Sequence, residues 1–511
     1  MKGKKKFILI LSSIFILVIF GLMSRLIDRR QGGNIIKENS QVIGYGEKYF
    51  DRNKIMEINI EIDENELENM FENAKDKKYK TANVTINGDT YNNIGVRTKG
   101  NSSLNAVVSN DESDRYSLKI KFDKYEDNQT MEGLTQLNLN NCYSDPSYMR
   151  EFIAYSIFED MGLKTPEFAY TKVSINGEYR GLYLAVESVL EPFIENNFED
   201  STGDLYKSTG TNGGTLTYNG DDIEKYEDLE LKSDEEADSQ KLINMISALN
   251  SGENIEEYLD VDTALKYIAI NTAILNLDSY QGNFAHNYYL YEQDGKFTII
   301  PWDLNMAFGG FEQGNSNKDD LIDINSPTMV SLEQRPLVNT LLSNEEYKAK
   351  YYGYLEEIVN KYLDSDYLEN MTSEIYDLIS TYVKEDPTAF YTFEEFETNI
   401  KTSIEDTQQN MGKGMQPPEG MEMQNQGGME GMQPPERMEM PNKDGMEGMQ
   451  LPEGMEIPNQ GDMEGMQLPE GMEKPSEDNE MNGNIGKEKT LPGILELAEE
   501  MSESIKNQLS K

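Results

Sequence analysis

One cysteine (Cys142), one histidine (His286) and one tryptophan (Trp302) stand in a chain of 511 residues. A single cysteine excludes an internal disulfide framework. A single histidine excludes any metal site or catalytic arrangement built on two imidazoles. Positive charge is scarce as well: 46 Lys and Arg face 93 Asp and Glu, a formal net charge of −47. Nucleic-acid binding rests on Lys and Arg neutralising phosphates, so no nucleic-acid partner is expected. The acidic surface suits solubility, divalent cations or a basic protein partner.

What is present is uneven along the chain. Lys2, Lys4, Lys5 and Lys6 precede an uncharged apolar run from Phe7 to Met23, the layout of a signal peptide or signal anchor. The run is at the short end for a spanning helix. Ser24-Arg25-Leu26 offers no small-x-small cleavage site, so an uncleaved N-terminal transmembrane anchor with a polar spacer to residue 50 is expected. The lysines would hold the N-terminus in the cytoplasm and place the body of the chain outside it; Arg25, Arg29 and Arg30 on the far side argue against that orientation.

Strand-like alternation begins at Ile55–Ile62. Asn87-Gly88, between Thr81–Ile86 and Asn92–Thr98, is a strong hairpin signal, as is Asn176-Gly177 between Tyr170–Ile175 and Gly181–Val186. Tyr116–Phe122 alternates, with Lys119 and Lys121 on the face opposite its apolar residues. A helix fits Ser147–Met161. From Tyr258 helical periodicity dominates, interrupted by strands at His286–Tyr291 and Phe297–Pro301. The fold class is α+β, strand-rich then helix-rich, in a two-lobed body.

A tandem repeat follows. Met-Gln-Pro-Pro-Glu at Met415 and Met432 and Met-Gln-Leu-Pro-Glu at Met449 and Met466 set a period of 17 residues. Recurrent Pro and Gly break a helix and nothing in the pattern builds a sheet, so residues 411–487 read as a disordered insertion rich in Met, Pro and Glu. Ile494, Ala498, Met501, Ile505 and Leu509 then share one face of a helix. A lone helix of this length is marginal in water, so residues 488–511 are expected to pack back on the body at 46–410, with 1–45 forming the anchor and spacer. A free tail helix that meets a partner or membrane is the alternative.

The chemistry concentrates between Asn276 and Asn305. Asp278 and Asn283 stand in a D-x-x-x-x-N relation, and Asp303 follows a short strand pair. In phosphoryl transfer such an Asp orients the acceptor hydroxyl and takes its proton, while the Asn and a second Asp bind Mg²⁺. Oxygen ligands suit that hard cation, which shares them with phosphates. The spacing alone is weak, because Asp and Asn also cap helices and form turns.

The resemblance that sharpens this is carried by several motifs in order: Arg97-Thr98-Lys99-Gly100-Asn101-Ser102-Ser103, Ser117–Tyr125, Met149-Arg150-Glu151, Asn176-Gly177-Glu178-Tyr179-Arg180-Gly181-Leu182-Tyr183, His286-Asn287-Tyr288-Tyr289-Leu290-Tyr291 and Pro301-Trp302-Asp303-Leu304-Asn305. Together they resemble the spore coat protein H (CotH) family of atypical protein kinases over roughly residues 50–400. The resemblance implies a bilobal kinase-like fold, ATP with Mg²⁺ or Mn²⁺, and Ser/Thr phosphorylation of coat proteins, here Ser-rich basic ones. With the expected N-terminal anchor, it implies a membrane-anchored, extracytoplasmic or spore-surface location in a bacterium. Carried over, Asp278 is the catalytic base and Asn283 and Asp303 are metal ligands. Lys119 is the phosphate lysine, Lys121 its runner-up, and Glu151 its helix-borne partner. Arg97 and Lys99 are candidate phosphate contacts. Glu187, at a strand end, marks where a hinge would meet adenine.

Each of these has a plainer reading: a solvated strand face for Lys119, an ordinary salt bridge near Arg150 for Glu151, a surface turn for Arg97 and Lys99. His286 reads as a structural hydrogen-bonder and Trp302 as packing that positions Asp303. The chain has no G-x-G-x-x-G, H-R-D or D-F-G, so its phosphate grip must differ from that of ordinary protein kinases. A catalytically silent coat or surface assembly protein is the rival reading, and a metal-dependent hydrolase the third. For the repeat, a flexible spacer or oxidant sink is expected, since thioethers oxidise reversibly. Deleting residues 411–487 should move the thermal midpoint by less than about 2–4 °C, the shift that about 1 kcal/mol produces in a large domain; a greater loss of stability on calorimetry refutes the spacer reading.

Overall fold

The computed structural model describes residues 44–233, 237–311, 321–401 and 491–511. The expected anchor and the repeat both lie outside these residues. No helix among the described residues is long and apolar enough to cross a membrane. The spacer read to residue 50 ends by Gly44, because a short helix, α1 (Tyr45–Tyr49), buries Tyr45 and Tyr49.

The protein is mixed α+β. Seven strands close a barrel in the order β1-β2-β3-β4-β5-β7-β6: β1 (Met56–Ile62), β2 (Lys80–Ile86), β3 (Asp89–Lys99), β4 (Ser117–Lys121), β5 (Gln136–Asn140), β6 (Phe168–Ile175) and β7 (Glu178–Glu187). Alternation builds it. Met56, Ile58, Ile60 and Ile62 are buried while Glu57 and Glu61 are exposed, and Ile58 lies opposite Ile86 on one side and Val173 on the other. The β1–β6 pairing is parallel and removes the free edge. Both Asn-Gly turns have positive φ at both residues (48° and 93°, 52° and 82°), the geometry that matches strand twist in a two-residue hairpin.

β6 and β7 are buried on both faces. Ala169, Val173 and Ala185 belong to the barrel core, whereas Phe168, Tyr170, Leu182, Leu184 and Val186 belong to a second, larger core. That core holds α2 (Arg150–Asp160), whose residues from Arg150 to Phe158 are all buried, and a four-stranded sheet of order β11-β10-β8-β9. The sheet is built from β8 (Leu205–Ser208), β9 (Leu229–Leu231), β10 (Tyr288–Gln293) and β11 (Lys296–Pro301). Around it stand α3 (Ser239–Ser251), α4 (Val261–Ala273), α5 (Pro336–Ser343), α6 (Glu345–Lys361), α7 (Ser365–Lys384), α8 (Phe393–Lys401) and α9 (Ile494–Leu509). The last helix buries Ile494, Leu497, Ala498, Met501 and Ile505. Its Ser502 Oγ donates to the Val359 carbonyl at 3.3 Å and its Gln508 Nε2 to the Ile322 carbonyl at 2.8 Å.

Two buried arginines tie distant segments together. Arg150 pairs with Asp145 at 2.7 Å and donates to the Pro492 carbonyl at 2.6 Å, fixing the approach to α9 against α2. Arg115 pairs with Asp386 with neither side chain exposed, and donates to the carbonyls of Asn141 and Leu182. A Cβ on Gly181 would fall 2.2 Å from its guanidinium. Removing one partner of a buried pair leaves the other charge uncompensated. Arg115→Ala should therefore cost about 3–5 kcal/mol in urea unfolding, and the Arg115→Ala/Asp386→Ala double variant less than the sum of its singles.

Candidate active site

The segment after α4 is held at almost every residue. Asn276 Nδ2 donates to Asn271 Oδ1 at 2.8 Å, and Gln281 Nε2 to Thr272 Oγ1 at 2.9 Å and the Pro327 carbonyl at 2.8 Å. The Tyr280 hydroxyl donates to the Thr215 carbonyl at 2.9 Å. Arg335, buried and lacking a carboxylate partner among the described residues, donates to the carbonyls of Tyr280 (2.8 Å), Gly282 and Asn283 (3.1 Å). A Cβ on Gly282 would fall 1.7 Å from the Leu277 carbonyl oxygen, so the tight loop requires glycine there. Leu275, Ala285 and Asn287 adopt positive φ (48°, 48° and 60°). Such strain survives only where surrounding contacts over-determine the backbone, and it gathers at functional sites.

This loop aims Asp278. His286 Nε2 lies 2.7 Å from Asp278 Oδ1, and Asn287 Nδ2 donates to Asp278 Oδ2 at 3.1 Å and to its carbonyl at 2.8 Å. The β10–β11 hairpin then carries the chain away and back. Tyr288 pairs with Pro301, and the Trp302 amide donates to the Asn287 carbonyl at 3.2 Å. Asn287 and Asp303 therefore stand at the same end of the hairpin. Asp303 has φ 55°, and its N–H donates to the Tyr155 hydroxyl on α2 at 3.1 Å. Trp302 packs edge-on against Tyr289, centroids 5.7 Å apart.

Asp303 is partly buried, and its carboxylate has no ion-pair or hydrogen-bond partner among the described residues. A hard divalent cation fits such an oxygen set, Asp303 with the neighbouring carboxamide, when phosphates and water complete its shell. No group of three or more His, Cys, Asp or Glu that could hold a metal occurs among the described residues. The side chain of Asn283 is exposed, and only its carbonyl is held, by Arg335. The carboxamide beside Asp278 belongs to Asn287, which the sequence showed within His286–Tyr291 without marking it out.

Cations line the barrel side. Lys99 Nζ donates to Asn140 Oδ1 at 2.5 Å, and Asn140 Nδ2 donates to Glu151 at 2.9 and 3.1 Å. The lysine that reaches Glu151 is thus Lys99, through an amide relay, and Arg150 is engaged elsewhere with Asp145. Lys119 stands opposite Arg97 in the β3–β4 ladder and has no carboxylate partner among the described residues. Lys121, two residues on, lies 3.7 Å from Asp123. The Glu187 carboxyl accepts from the Tyr45 hydroxyl and from the Glu167 N–H at 2.9 Å, and its own N–H goes to the Glu167 carbonyl. Those contacts face α1 rather than the cations. Lys207, on β8, escaped the sequence reading because a single lysine on a four-residue strand gives no local signal.

Burial governs the charges. It pushes the Glu151 carboxyl up to about 8, helped by the negative Asp303 and opposed by the Asn140 hydrogen bond and Lys99. It holds Lys119 well below the usual lysine range, reinforced by Lys99, Arg97, Lys207 and Lys232, and it lowers Lys99 against the pull of Asp303 and Glu151.

An α+β barrel-and-sheet body with two placed aspartates and a group of cations that act on one another is the class that these elements define. The CotH kinase protein family model matches residues 96–413, and the chain belongs to that family. It is 27% identical to the inner spore coat protein H of Bacillus subtilis over 271 residues, 51% of this chain and 72% of that protein. It is 22% identical over 400 residues to invasin CotH2 of Rhizopus delemar, 72% of this chain and 64% of the invasin. Among solved structures, the Shewanella oneidensis HipA–HipB–operator DNA complex aligns at 12% identity and TM-score 0.26, over 51% of this chain and 59% of that one. The Helicobacter pylori proinflammatory kinase CtkA aligns at 12% identity and TM-score 0.20, over 59% of this chain and 87% of that one. Scores this low carry no argument.

A folded carboxyl raised to about 8 from 4.5 favours folding fully below pH about 4.5, and that contribution is lost as pH rises through about 8. Glu151→Gln should therefore lose less stability than the parent between pH 5 and 8.5 in urea unfolding without metal. Parallel losses in the two proteins would show that Glu151 is ionised throughout.

Proposed function

We propose that the protein is an atypical Ser/Thr protein kinase that transfers the γ-phosphoryl group of ATP to a coat or surface protein. The observation that carries this reading is that Asp303, at the end of the hairpin that starts from the Asp278 loop, acts on the cations Lys99 and Lys207 in a chain of net charge −47. In so acidic a protein, half-buried cations without carboxylate ion pairs fit an anionic ligand, since a charge withdrawn from water without a partner is costly.

In this reading Asp278, held by His286 and Asn287, orients the acceptor hydroxyl and takes its proton as the hydroxyl oxygen attacks the γ-phosphorus and the bond to the bridging oxygen of ADP breaks. Asp303 and Asn287 would hold Mg²⁺ or Mn²⁺, with exposed Asn283 as the alternative ligand, and the cation supplies charge neutralisation across the phosphates. Lys99, kept in place by Asn140 and Glu151, takes the α- and β-phosphates with Lys119 and Arg97 beside it. Lys121 stands further off, and the backbone after Glu187 is left for adenine. The acidic surface favours a basic, Ser-rich acceptor. The B. subtilis relative's name supports a bacterial coat-associated setting, and residues 7–23 support a membrane-anchored, extracytoplasmic one.

One observation favours a catalytically silent assembly protein on the same fold: Lys99 and Glu151 are bridged by Asn140 rather than paired. Incubation of the protein with labelled ATP, Mg²⁺ or Mn²⁺ and a basic Ser-rich acceptor decides between them. Transfer abolished by Asp278→Ala and by Asp303→Ala, a fall of at least about 100-fold each, is the expected result. Metal-dependent ATP binding without transfer to any acceptor, in the presence of intact folding, would establish the silent reading.

A further inference from the structure

Lys207 is the cation that the kinase reading leaves without a task. It lies on β8, which pairs with β10 in the sheet that ends at Asn287 and Asp303, not in the barrel that carries Arg97, Lys99 and Lys119. Opposite Tyr289 in the ladder, its Nζ sits 5.6 Å from the Tyr289 ring centroid and 5.7 Å from that of Trp302, the residue before Asp303. No carboxylate pairs with it and no acceptor takes its protons among the described residues. Its neighbour Lys232, by contrast, is neutralised by Glu230. Two aromatic rings flank this ammonium, and the strongest negative charge acting on it is that of Asp303.

Burial lowers it to about 8, opposed by Asp303 and aided by Lys99 and Lys232. An arriving dianionic group would restore its proton.

We infer that Lys207 is a catalytic residue that grips the phosphoryl group in flight, so that the barrel cations hold the part of the nucleotide that stays and the sheet cation holds the part that leaves. This rests on the kinase reading above. As the bond from the γ-phosphorus to the bridging oxygen breaks and the bond to the acceptor oxygen forms, negative charge spreads over the three γ-oxygens and the departing bridge oxygen. A cation fixed on the Asp303 side meets that charge without reorganising, and such a donor is worth more in the transition state than in the ground state. Lys99 and Lys119, on the barrel strands, bind nucleotide whether or not transfer occurs.

The test uses the full chain with Lys207→Met and Lys207→Arg, whose thermal midpoints establish folding. Two quantities are measured with Mg²⁺: the rate of transfer from ATP, and the affinity for ADP with and without aluminium fluoride, which mimics the phosphoryl group in transfer. The expected result for Lys207→Met is a kcat reduced about 100-fold or more, ADP affinity changed less than about threefold, and no tightening by fluoride. Lys207→Arg should recover part of both. If the parent tightens ADP with fluoride but transfers no phosphate, and Lys207→Met loses that tightening, the kinase reading fails while the phosphoryl grip of Lys207 stands. Unchanged fluoride tightening in Lys207→Met, an equal loss of plain ADP affinity, or no tightening in the parent overturns the inference.

Discussion

The Arg335 guanidinium is the constraint on which the site depends. It is buried with no carboxylate beside it among the described residues, and it spends its donors on main-chain carbonyls of Tyr280, Gly282 and Asn283. A cation surrounded by carbonyl dipoles avoids the full cost of burial only while the loop keeps its shape. The same contacts hold the backbone that follows Asp278, just ahead of the positive φ of Ala285 and Asn287. Without that shape, His286 and Asn287 would not meet the Asp278 carboxylate, and the hairpin would not start where it brings Asp303 alongside.

The second support is α2, buried along nearly its whole length between barrel and helices. Its successive turns reach different parts of the site. Arg150 fixes Asp145 and Pro492, Glu151 meets the Asn140 relay to Lys99, and Tyr155 accepts the Asp303 amide. A shift of this helix would therefore move a barrel lysine, a sheet aspartate and the C-terminal segment together. Such a shared element is the physical means by which barrel, sheet and C-terminal helix are linked.

Much of the fold is local and was readable. The two Asn-Gly hairpins, the alternation of β1 and β4, the α2 segment and the β10–β11 pair all follow from period and turn chemistry. The candidate aspartates were readable for the same reason, since their order around a strand pair is a property of consecutive residues. The amide partner of Asp278 was not, because a D-x-x-x-x-N spacing draws the eye to Asn283 when the loop's strained turns instead bring Asn287 back. The pairing of Lys119 with Glu151 expected from the sequence is not the one the structure makes, since Lys99 reaches Glu151 through Asn140. Both lysines lie on alternating strands, and which one meets Glu151 depends on Asn140, at the end of the neighbouring strand β5.

The sequence by itself determined the class of residues in play: scarce cations, abundant carboxylates, one histidine, and a family pattern from Arg97 to Asn305. Tertiary structure alone decided which of the cations stay unpaired. The β8–β10 register places Lys207 on the Tyr289 and Trp302 rings at the Asp303 side, whereas Arg97, Lys99 and Lys119 come from the barrel strands β3 and β4. The physical reason is that charge pairing and desolvation depend on distances between strands far apart in the chain, whereas periodicity reports only what lies within a turn or two of itself.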